Sequence, residues 1–361
     1  MTSVVNRFSK APLQQGLRAL FALRSTWLLV LAFCLLSGCD RAPAVHTLSG
    51  PTMGTTWSVK VVGLPVDMTP PQLQHELQLI LQNINQQMST YIPDSDISRF
   101  NQADAGTWHT LPADFYQVLD YALRLADETD GAYDPTVGPL VNLWGFGPDK
   151  TRINAPSEEQ LAQARARIGW QRITLDADKR AAQQPGGVYV DLSSVAKGYA
   201  VDKLADYLAA RGLTNYLVEI GGELRANGKK PDGSGWRVAV ERPVPGIREV
   251  ERVLTLSQGA VATSGDYRNF FEQDGQFFAH IINPHTGQPV NHLTASVTVL
   301  ADTCTEADAL ATALTVLGPE LGIAFAEARQ LAVLFIVRTE TGFAEIPSSA
   351  FKQLSQAQQE H

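Results

Sequence analysis

The sequence predicts an α+β fold, with mixed sheets and packed helices in one compact unit of two lobes. Segments with strand and helix periodicity are interleaved without strict βαβ alternation, no internal repeat occurs, and no Pro/Ser-rich linker divides the chain. With 361 residues, of which 44% are hydrophobic and 18% charged, the chain is long and apolar enough for a sizeable core. This composition excludes a disordered or fibrous protein.

Helices are predicted where apolar residues recur every three or four positions. They begin at Pro70, before Phe115, at Ser157, near Ser194 and after Thr303. Ser157-Glu-Glu-Gln160 and Thr303-Cys-Thr-Glu306 are capping boxes, in which a hydroxyl accepts a backbone hydrogen bond at the start of the helix. Gly212 is expected to end the fourth helix and Gly318-Pro319 the fifth.

Strands are predicted where apolar residues alternate with polar ones or form short runs between turn residues. The predicted strands span residues 56–62, 170–175, 188–192, 216–220, 236–241, 250–256, 277–282, 295–300 and 331–337. Strands and helices are therefore mixed irregularly along the chain, as in α+β proteins.

The N-terminal segment is typical of an exported bacterial lipoprotein. Four basic residues and no acidic ones precede the apolar run 27–36, which is shorter than the about 20 residues of a membrane span. Leu36-Ser-Gly-Cys39 resembles a lipobox, in which cleavage leaves Cys39 as an acylated N-terminus. A plain signal peptide or an uncleaved anchor is the alternative.

The leader sets the predicted domain boundaries and the predicted location. Residues 1–38 form the signal peptide, 39–47 a lipidated tether, 48–350 the exported domain and 351–361 a C-terminal tail. Asp40, next to the lipidated cysteine, resembles the retention signal of inner-membrane lipoproteins. The protein is therefore expected on the periplasmic face of the bacterial inner membrane, held by its lipid anchor.

Beyond the leader the chain is acidic. The net charge is −8 over the whole chain, and from Cys39 onward 25 Lys and Arg residues stand against 37 Asp and Glu, a net charge of −12. No nucleic-acid partner is predicted for such a chain. Once Cys34 is removed and Cys39 is acylated, Cys304 is the remaining thiol, which excludes an intrachain disulfide.

The helix predicted after Thr303 carries a candidate metal site. Asp308 and Thr312 are four residues apart, so both side chains project from one helix face. A carboxylate and a hydroxyl are hard oxygen ligands, the type that Mg²⁺ prefers when it also binds phosphate oxygens and water. Alternatively, the helix dipole favours Asp308 and Thr312 bonds back to a carbonyl of its own helix.

The segment 191–202 is a candidate anion site. A strand is predicted to end at Asp191 and a helix to begin near Ser194. Free backbone N–H groups at that turn, together with Lys197, suit a phosphate, and Ser194 offers an oxygen to a metal. Equally, Ser194 can serve as an ordinary N-cap beside a solvated Lys197.

Four further segments have the composition of binding loops or turns. Residues 132–147 combine helix breakers with aromatic side chains, in a loop that suits either a flat ring or a packed surface crossing. Gly221-Gly222 permits close approach of a ligand to the backbone. Residues 263–266 form a polar turn, and His280 lies at a strand end before a turn rich in donors.

Together these motifs resemble the ApbE family of FAD:protein FMN transferases. In the family's order, over about residues 47–350, the chain has Thr52-Met-Gly-Thr55, Met88-Ser-Thr-Tyr91, Ser98-Arg-Phe-Asn101, Ala132-Tyr-Asp134 with Gly-Pro-Leu-Val-Asn-Leu-Trp144, Asp191-Leu-Ser-Ser-Val-Ala-Lys-Gly198, Gly221-Gly222, His280-Ile-Ile-Asn-Pro-His-Thr-Gly287 and Glu306-Ala-Asp-Ala-Leu-Ala-Thr312. The resemblance implies a Mg²⁺-dependent enzyme that takes FAD as its substrate. It would attach FMN to a Ser or Thr hydroxyl of a target protein in a membrane electron-transfer complex and release AMP.

The resemblance also assigns the site residues by position. The positions that match FAD contacts are Met53, Tyr91, Ala132, Tyr133, Asp134, Asp191, Lys197 and Ile281. Asp308 and Thr312 match the metal positions, and Ser194 falls where an oxygen reaches the metal. Ala311 stands where some relatives have a further acidic residue, so a site of three carboxylates is not expected. His280 is the predicted base for the acceptor hydroxyl, with Asp308 as its rival for this catalytic role.

Two alternatives share parts of this site. If water replaces the acceptor hydroxyl, the same metal serves an FAD pyrophosphatase that releases FMN and AMP. A lipid-anchored flavin-binding or solute-binding protein without catalysis would need the pocket, but not the metal pair of Asp308 and Thr312.

Overall fold

The computed structural model describes residues 43–147, 155–244, 246–247, 249–267, 270–273 and 276–359. The strands are β1 (Val45–Thr52), β2 (Thr55–Val62), β3 (His109–Thr110), β4 (Thr174–Asp176), β5 (Ala181–Gln183), β6 (Tyr216–Ile220), β7 (Glu223–Asn227), β8 (Trp236–Glu241), β9 (Val250–Leu256), β10 (Gln258–Gly265), β11 (Phe270–Gln273), β12 (Gln276–Ala279), β13 (Thr294–Ala301), β14 (Ala332–Thr339) and β15 (Gly342–Pro347). The predicted signal peptide and Cys39 lie outside the described residues.

The helices are α1 (Pro70–Met88), α2 (Asp96–Asn101), α3 (Ala113–Glu128), α4 (Gly138–Leu143), α5 (Glu158–Arg165), α6 (Ala196–Ala210), α7 (Cys304–Ala328) and α8 (Ser349–Gln359). Both hydrogen bonds of the predicted capping box form between Ser157 and Gln160. At α7, the Thr303 hydroxyl accepts from the backbone N–H of Glu306, which is one half of the second predicted box.

An eight-stranded sheet organises the fold, in the order β1-β2-β6-β7-β10-β13-β14-β15. Smaller sheets pair β3-β5-β4, β8-β9 and β11-β12. The α+β class is confirmed. Mixed sheets were expected, whereas each strand pairing among the described residues is antiparallel. Hairpins and longer loops can join such neighbours without helical crossovers.

The large sheet is buried on both faces. Along β14, Val333 and Phe335 belong to one hydrophobic core, whereas Leu334 and Ile336 belong to the other. Successive side chains of a strand point to opposite faces, so this alternation shows that β14 separates two apolar layers. The first layer includes residues of α1, α3, α6 and α7, and the second includes residues of β8, β9 and α8.

Helix α7 is broken where the sequence predicts its end. Gly318 has φ 76° and ψ 177°, which is not helical, and Pro319 begins a second helical stretch that runs on to Ala328. Among the described helices, α7 alone has the length and composition of a membrane span, with a mean hydropathy of 1.6. Its apolar side chains, among them Ala309 and Leu314, are buried in the first core.

Several predicted strands are different in the structure. Residues 188–192 form no strand, because the Asn101 side chain donates to the Val190 carbonyl and accepts from its N–H, and the Gln184 side chain accepts from the N–H of Val188. Side chains thus take the bonds that a neighbouring strand would need. Within 170–175, Trp170–Arg172 is a 3₁₀ helix that precedes β4.

Other elements of the structure were not predicted. They are β1, β3, β5, β7, β10, β11, β14's partner β15, and helices α2, α4 and α8. Of these, β1 begins at Val45 and α8 spans Ser349–Gln359, near the predicted domain limits at 47 and 350. Those limits stay predictions.

Candidate active site

A cavity of about 310 Å³ collects most of the predicted site residues. The predicted residues that line it are Ala132, Tyr133, Asp134, Asp191, Ser194, Lys197, His280, Ile281, Asp308 and Thr312. They come from the loop before α4, the start of α6, the segment after β12 and the first half of α7. The structure therefore joins segments that are far apart in the sequence into one concave site.

Asp308 lies where α6 and α7 approach each other closely. It is 5% exposed, and its Oδ2 accepts a hydrogen bond of 2.9 Å from the backbone N–H of Gly198. A Cβ at position 198 would stand 2.2 Å from the Cys304 carbonyl oxygen, so only glycine permits this contact. The close approach brings the carboxylate to the turn that carries Lys197.

The charges at this contact depend on one another. Burial raises the pKa of Asp308, Lys197 opposes that rise, and the nearby Glu223 adds to it. Burial lowers the pKa of Lys197, but attraction to Asp308 and Glu223 outweighs burial and raises it above its usual value. Lys197 therefore stays a cation, and a further positive charge near Asp308 would relieve the cost of burying its carboxylate.

The donors around Asp308 suit a hard cation. Thr312 lines the same cavity one helical turn further along α7, and Ser194 donates its hydroxyl hydrogen to Tyr133 Oη at 2.9 Å. Within the described part of the chain there is no group of three or more His, Cys, Asp or Glu residues that would hold a metal alone. A carboxylate with a hydroxyl fits Mg²⁺, which usually completes its shell with water and substrate phosphate oxygens.

Glu223 is a site residue that sequence reasoning missed. It lines the cavity, it is 6% exposed, and its Oε1 lies 3.2 Å from Lys197 Nζ. It is the first residue of β7, directly after a two-residue turn in which Gly221 and Gly222 have φ values of 64° and 112°. The signal is present in the sequence, because a carboxylate directly follows the Gly221-Gly222 pair, at which close approach of a ligand to the backbone is predicted.

The loop before α4 forms a second wall of the cavity. Asp134 is buried and accepts from the backbone N–H and hydroxyl of Thr136, at 2.7 and 2.6 Å. Burial raises the pKa of Asp134, and these hydrogen bonds oppose the rise. The Pro135 carbonyl accepts from the N–H of Asp191, which ties this loop to the segment before α6. The cavity is also lined by the apolar side chains of Val137, Val141, Ile281 and Val316.

His280 and Tyr91 occupy different positions relative to the cavity. His280 lines it, and the ring meets that of Phe146 edge-on, with 6.3 Å between the centroids. Tyr91 does not line the cavity and is 59% exposed. Partial burial raises the pKa of Tyr91, and the negative charge of Asp191 adds to this rise.

Met53 also lies outside the lining of the cavity. It occupies the turn between β1 and β2 with φ 47°, and its side chain packs against the first core. A positive φ is uncommon for a residue with a side chain, and the adjacent Gly54 has φ 71°. FAD contacts of Met53 and Tyr91 stay predictions.

The chain also matches a known family over the segments that form this cavity. The profile of the ApbE family covers residues 53–335. The chain belongs to the ApbE family. The FAD:protein FMN transferase of Vibrio cholerae is 48% identical over 328 residues, which are 90% of this chain and 98% of that protein. The FAD:protein FMN transferase of Haemophilus influenzae is 47% identical over 330 residues, 90% of this chain and 95% of its own.

Solved ApbE structures have the same fold. The flavin transferase ApbE from Vibrio cholerae superposes with a TM-score of 0.80 at 45% identity, over 86% of this chain and 99% of that one. The apo form of the Pseudomonas stutzeri flavinyl transferase ApbE gives a TM-score of 0.80 at 42% identity, over 86% of this chain and 97% of that one. The predicted family, fold class and assignment as an enzyme are confirmed. The ligand roles of single ApbE site residues stay predictions.

Proposed function

We propose that this enzyme transfers FMN from FAD to a Ser or Thr hydroxyl of a target protein, with Mg²⁺, and releases AMP. The observation that carries the proposal is the contact between α6 and α7, where buried Asp308 lies 3.6 Å from Lys197 in a cavity that Thr312 also lines. At this contact hard oxygen donors lie beside the charged Lys197, which suits a pyrophosphate substrate. The name shared by the relatives from Vibrio cholerae and Haemophilus influenzae supports the same reaction.

Asp308, Thr312 and an oxygen of Ser194 are the residues that would hold Mg²⁺. Bound there, Mg²⁺ would neutralise charge on the two linked phosphates of FAD. The charged Lys197 binds phosphate oxygens on the same side of the cavity. The flat flavin ring lies against the apolar lining residues, among them Val137 and Val316.

The transfer forms one bond and breaks one bond. The acceptor hydroxyl oxygen bonds to the phosphorus on the FMN side, the phosphoanhydride P–O bond breaks, and AMP leaves with the bonding electron pair. His280 lines the cavity and takes the hydroxyl proton. Asp308 is the rival base, but a carboxylate that holds a cation is a weaker proton acceptor.

Replacing Asp308 by Ala tests the site. A tagged acceptor peptide, FAD and Mg²⁺ are mixed with each variant, and the peptide mass is measured. We expect a mass gain of one FMN with the wild type and at least a 100-fold lower rate with Asp308→Ala, since the change removes the proposed metal carboxylate. Asp206→Ala is the matched control, because Asp206 lies on α6 with a side chain 66% exposed.

The same assay separates the alternatives. Free FMN and AMP without modified peptide indicate a pyrophosphatase, and the absence of any turnover at all Mg²⁺ concentrations indicates a binding protein. Full transfer activity in folded Asp308→Ala would refute the proposed site.

The proposed location is the periplasmic face of the bacterial inner membrane, where the target protein belongs to a membrane electron-transfer complex. Support comes from the sequence Leu36-Ser-Gly-Cys39-Asp40, in which a lipidated cysteine is followed by an inner-membrane retention residue. Replacing Cys39 by Ala should either release the enzyme from the membrane fraction into the soluble periplasmic fraction or leave its signal peptide uncleaved. Immunoblotting of cell fractions distinguishes both outcomes from the wild type. Unchanged membrane fractionation and unchanged processing of Cys39→Ala would contradict a lipid anchor.

A further inference from the structure

Lys197 lies between two buried carboxylates, and it is closer to the one that the metal site does not use. Its Nζ is 3.2 Å from Glu223 Oε1 and 3.6 Å from Asp308 Oδ1. The side chains of Glu223 and Asp308 are only 8% and 7% exposed, so water screens neither interaction well. The ammonium is therefore shared unequally, with the shorter contact to Glu223.

Glu223 is held by backbone that cannot shift easily. It pairs with Ile220 across the Gly221-Gly222 turn, and β7 is hydrogen-bonded on both sides within the large sheet. Among the described residues, Glu223 Oε2 is buried without a hydrogen-bond partner. A buried carboxylate with an unpartnered oxygen is costly, which indicates that this side chain is retained for something other than stability.

We propose that Glu223 is a positioning residue that holds the Lys197 ammonium away from Asp308 and thereby keeps Asp308 available to a divalent cation. This inference rests on the metal site of the proposed function. Without Glu223, Asp308 is the remaining carboxylate that forms an ion pair with Lys197 among the described residues. The flexible lysine would then close onto Asp308 and occupy the oxygen that a cation needs.

The distances set the size of the expected effect. Closing the contact between Lys197 Nζ and Asp308 Oδ1 from 3.6 Å to a charge-assisted hydrogen bond of about 2.8 Å strengthens the ion pair. At an effective dielectric constant of about 20, this strengthening is worth roughly a factor of ten. A divalent cation would have to displace that stronger pair, so its dissociation constant should rise about tenfold.

The test is a Mn²⁺ titration of the full enzyme without FAD or acceptor, followed by the electron paramagnetic resonance signal of free Mn²⁺. Mn²⁺ serves as the probe because it takes the same oxygen ligands as Mg²⁺. The variants form a double-mutant cycle of Glu223→Ala, Lys197→Met and both together. Glu219→Ala is the matched control, since Glu219 lies on the same hairpin but bonds to the Gly222 N–H and the Ser58 hydroxyl.

We expect Glu223→Ala to weaken Mn²⁺ binding about tenfold when Lys197 is present, and less than about threefold in the Lys197→Met background. Glu219→Ala should change binding less than about twofold. A loss of binding that largely disappears in the Lys197→Met background cannot come from a general loss of structure. Glu223→Gln keeps the volume and one acceptor for Lys197, so it should lie between the wild type and Glu223→Ala, and it preserves the test if the alanine variant does not fold.

Other outcomes overturn the inference in distinct ways. An equal loss with and without Lys197 would mean that Glu223 ligates the cation directly or acts only through its charge. Unchanged Mn²⁺ binding in Glu223→Ala would mean that Glu223 has no influence on the cation site. If the wild type binds no Mn²⁺, or Asp308→Ala binds as the wild type does, the metal site of the proposed function fails and this inference fails with it.

Discussion

Asp202 fixes the start of the helix that carries Asp308, and replacing it by Ala should destabilise the enzyme strongly. Asp202 is 7% exposed, and its Oδ1 accepts from the Cys304 N–H at 2.9 Å. Its Oδ2 accepts from the N–H and hydroxyl of Thr305, at 2.8 and 2.6 Å. Arg225 Nη1 lies 3.0 Å from the same carboxylate. The substitution therefore leaves two helix N–H groups and a half-buried cation without this partner.

The contacts give an expected loss of about 3 kcal/mol in the free energy of unfolding. Each helix N–H that loses its acceptor costs about 1 kcal/mol, as in other capping losses. Loss of the buried partner of Arg225 adds about 1 kcal/mol, because the other ion pair of that cation among the described residues, with Asp206, is exposed. For a chain of 361 residues, whose unfolding entropy is about 0.7 kcal/mol/K, a loss of about 3 kcal/mol corresponds to a fall in Tm of roughly 4 °C.

Urea unfolding followed by circular dichroism measures this loss, and Asp206→Ala is the matched control. Asp206 also pairs with Arg225, at 3.1 Å, but its side chain is 66% exposed. A surface pair of this kind contributes at most about 1 kcal/mol. Equal losses for Asp202→Ala and Asp206→Ala would refute the reasoning, since the helix N–H groups would then contribute nothing.

Two further substitutions test the packing of α6 against α7 and the hydrogen bonds between α3 and α6. Gly198→Ala should lower both stability and transfer activity, because the new Cβ would stand 2.2 Å from the Cys304 carbonyl oxygen. The expected loss of stability in urea unfolding is about 1–3 kcal/mol. Wild-type stability and activity would show that α6 and α7 can separate freely. Burial raises the pKa of Asp114, but hydrogen bonds from Tyr199 at 2.7 Å and Lys203 at 3.0 Å outweigh it and lower the pKa overall. Stability from this carboxylate is therefore present above its unfolded pKa of about 3.9 and is lost as pH falls through the lower folded pKa. Asp114→Asn should be less stable than the wild type by up to about 1 kcal/mol at pH 7, and the difference should shrink below pH 3; a difference that is constant with pH would contradict this assignment.

Strong local signals explain which elements the sequence predicted well. The helix from Pro70 has apolar residues at regular spacing and a proline start, and it spans Pro70–Met88 in the structure. The strands at 236–241 and 250–256 match β8 and β9 at both ends. In each case the spacing of the apolar residues marks the face of the element that is buried in the fold.

Elements with weak local signals were missed because their neighbours define them. Strand β7 has only five residues, Glu-Leu-Arg-Ala-Asn, and none of them is β-branched or aromatic, yet it lies in the interior of the sheet between β6 and β10. The opposite error at 188–192 has the same origin. Its apolar residues look like a strand, but the side chain of the distant Asn101 takes the backbone hydrogen bonds of Val190, and that of Gln184, four residues before Val188, accepts from the Val188 N–H.

Motif order and helical periodicity are local properties, so the order of amino acids was enough to predict the ApbE family, the types of residue in the site and the spacing of Asp308 and Thr312 on one helix face. The position of Lys197 between Glu223 and Asp308, in contrast, follows from the folding of the whole chain. These residues lie on three different elements, and Gly198 and Asp308 are 110 positions apart in the chain. Their meeting depends on the sheet order and on the close contact of two helices, and no local pattern encodes either.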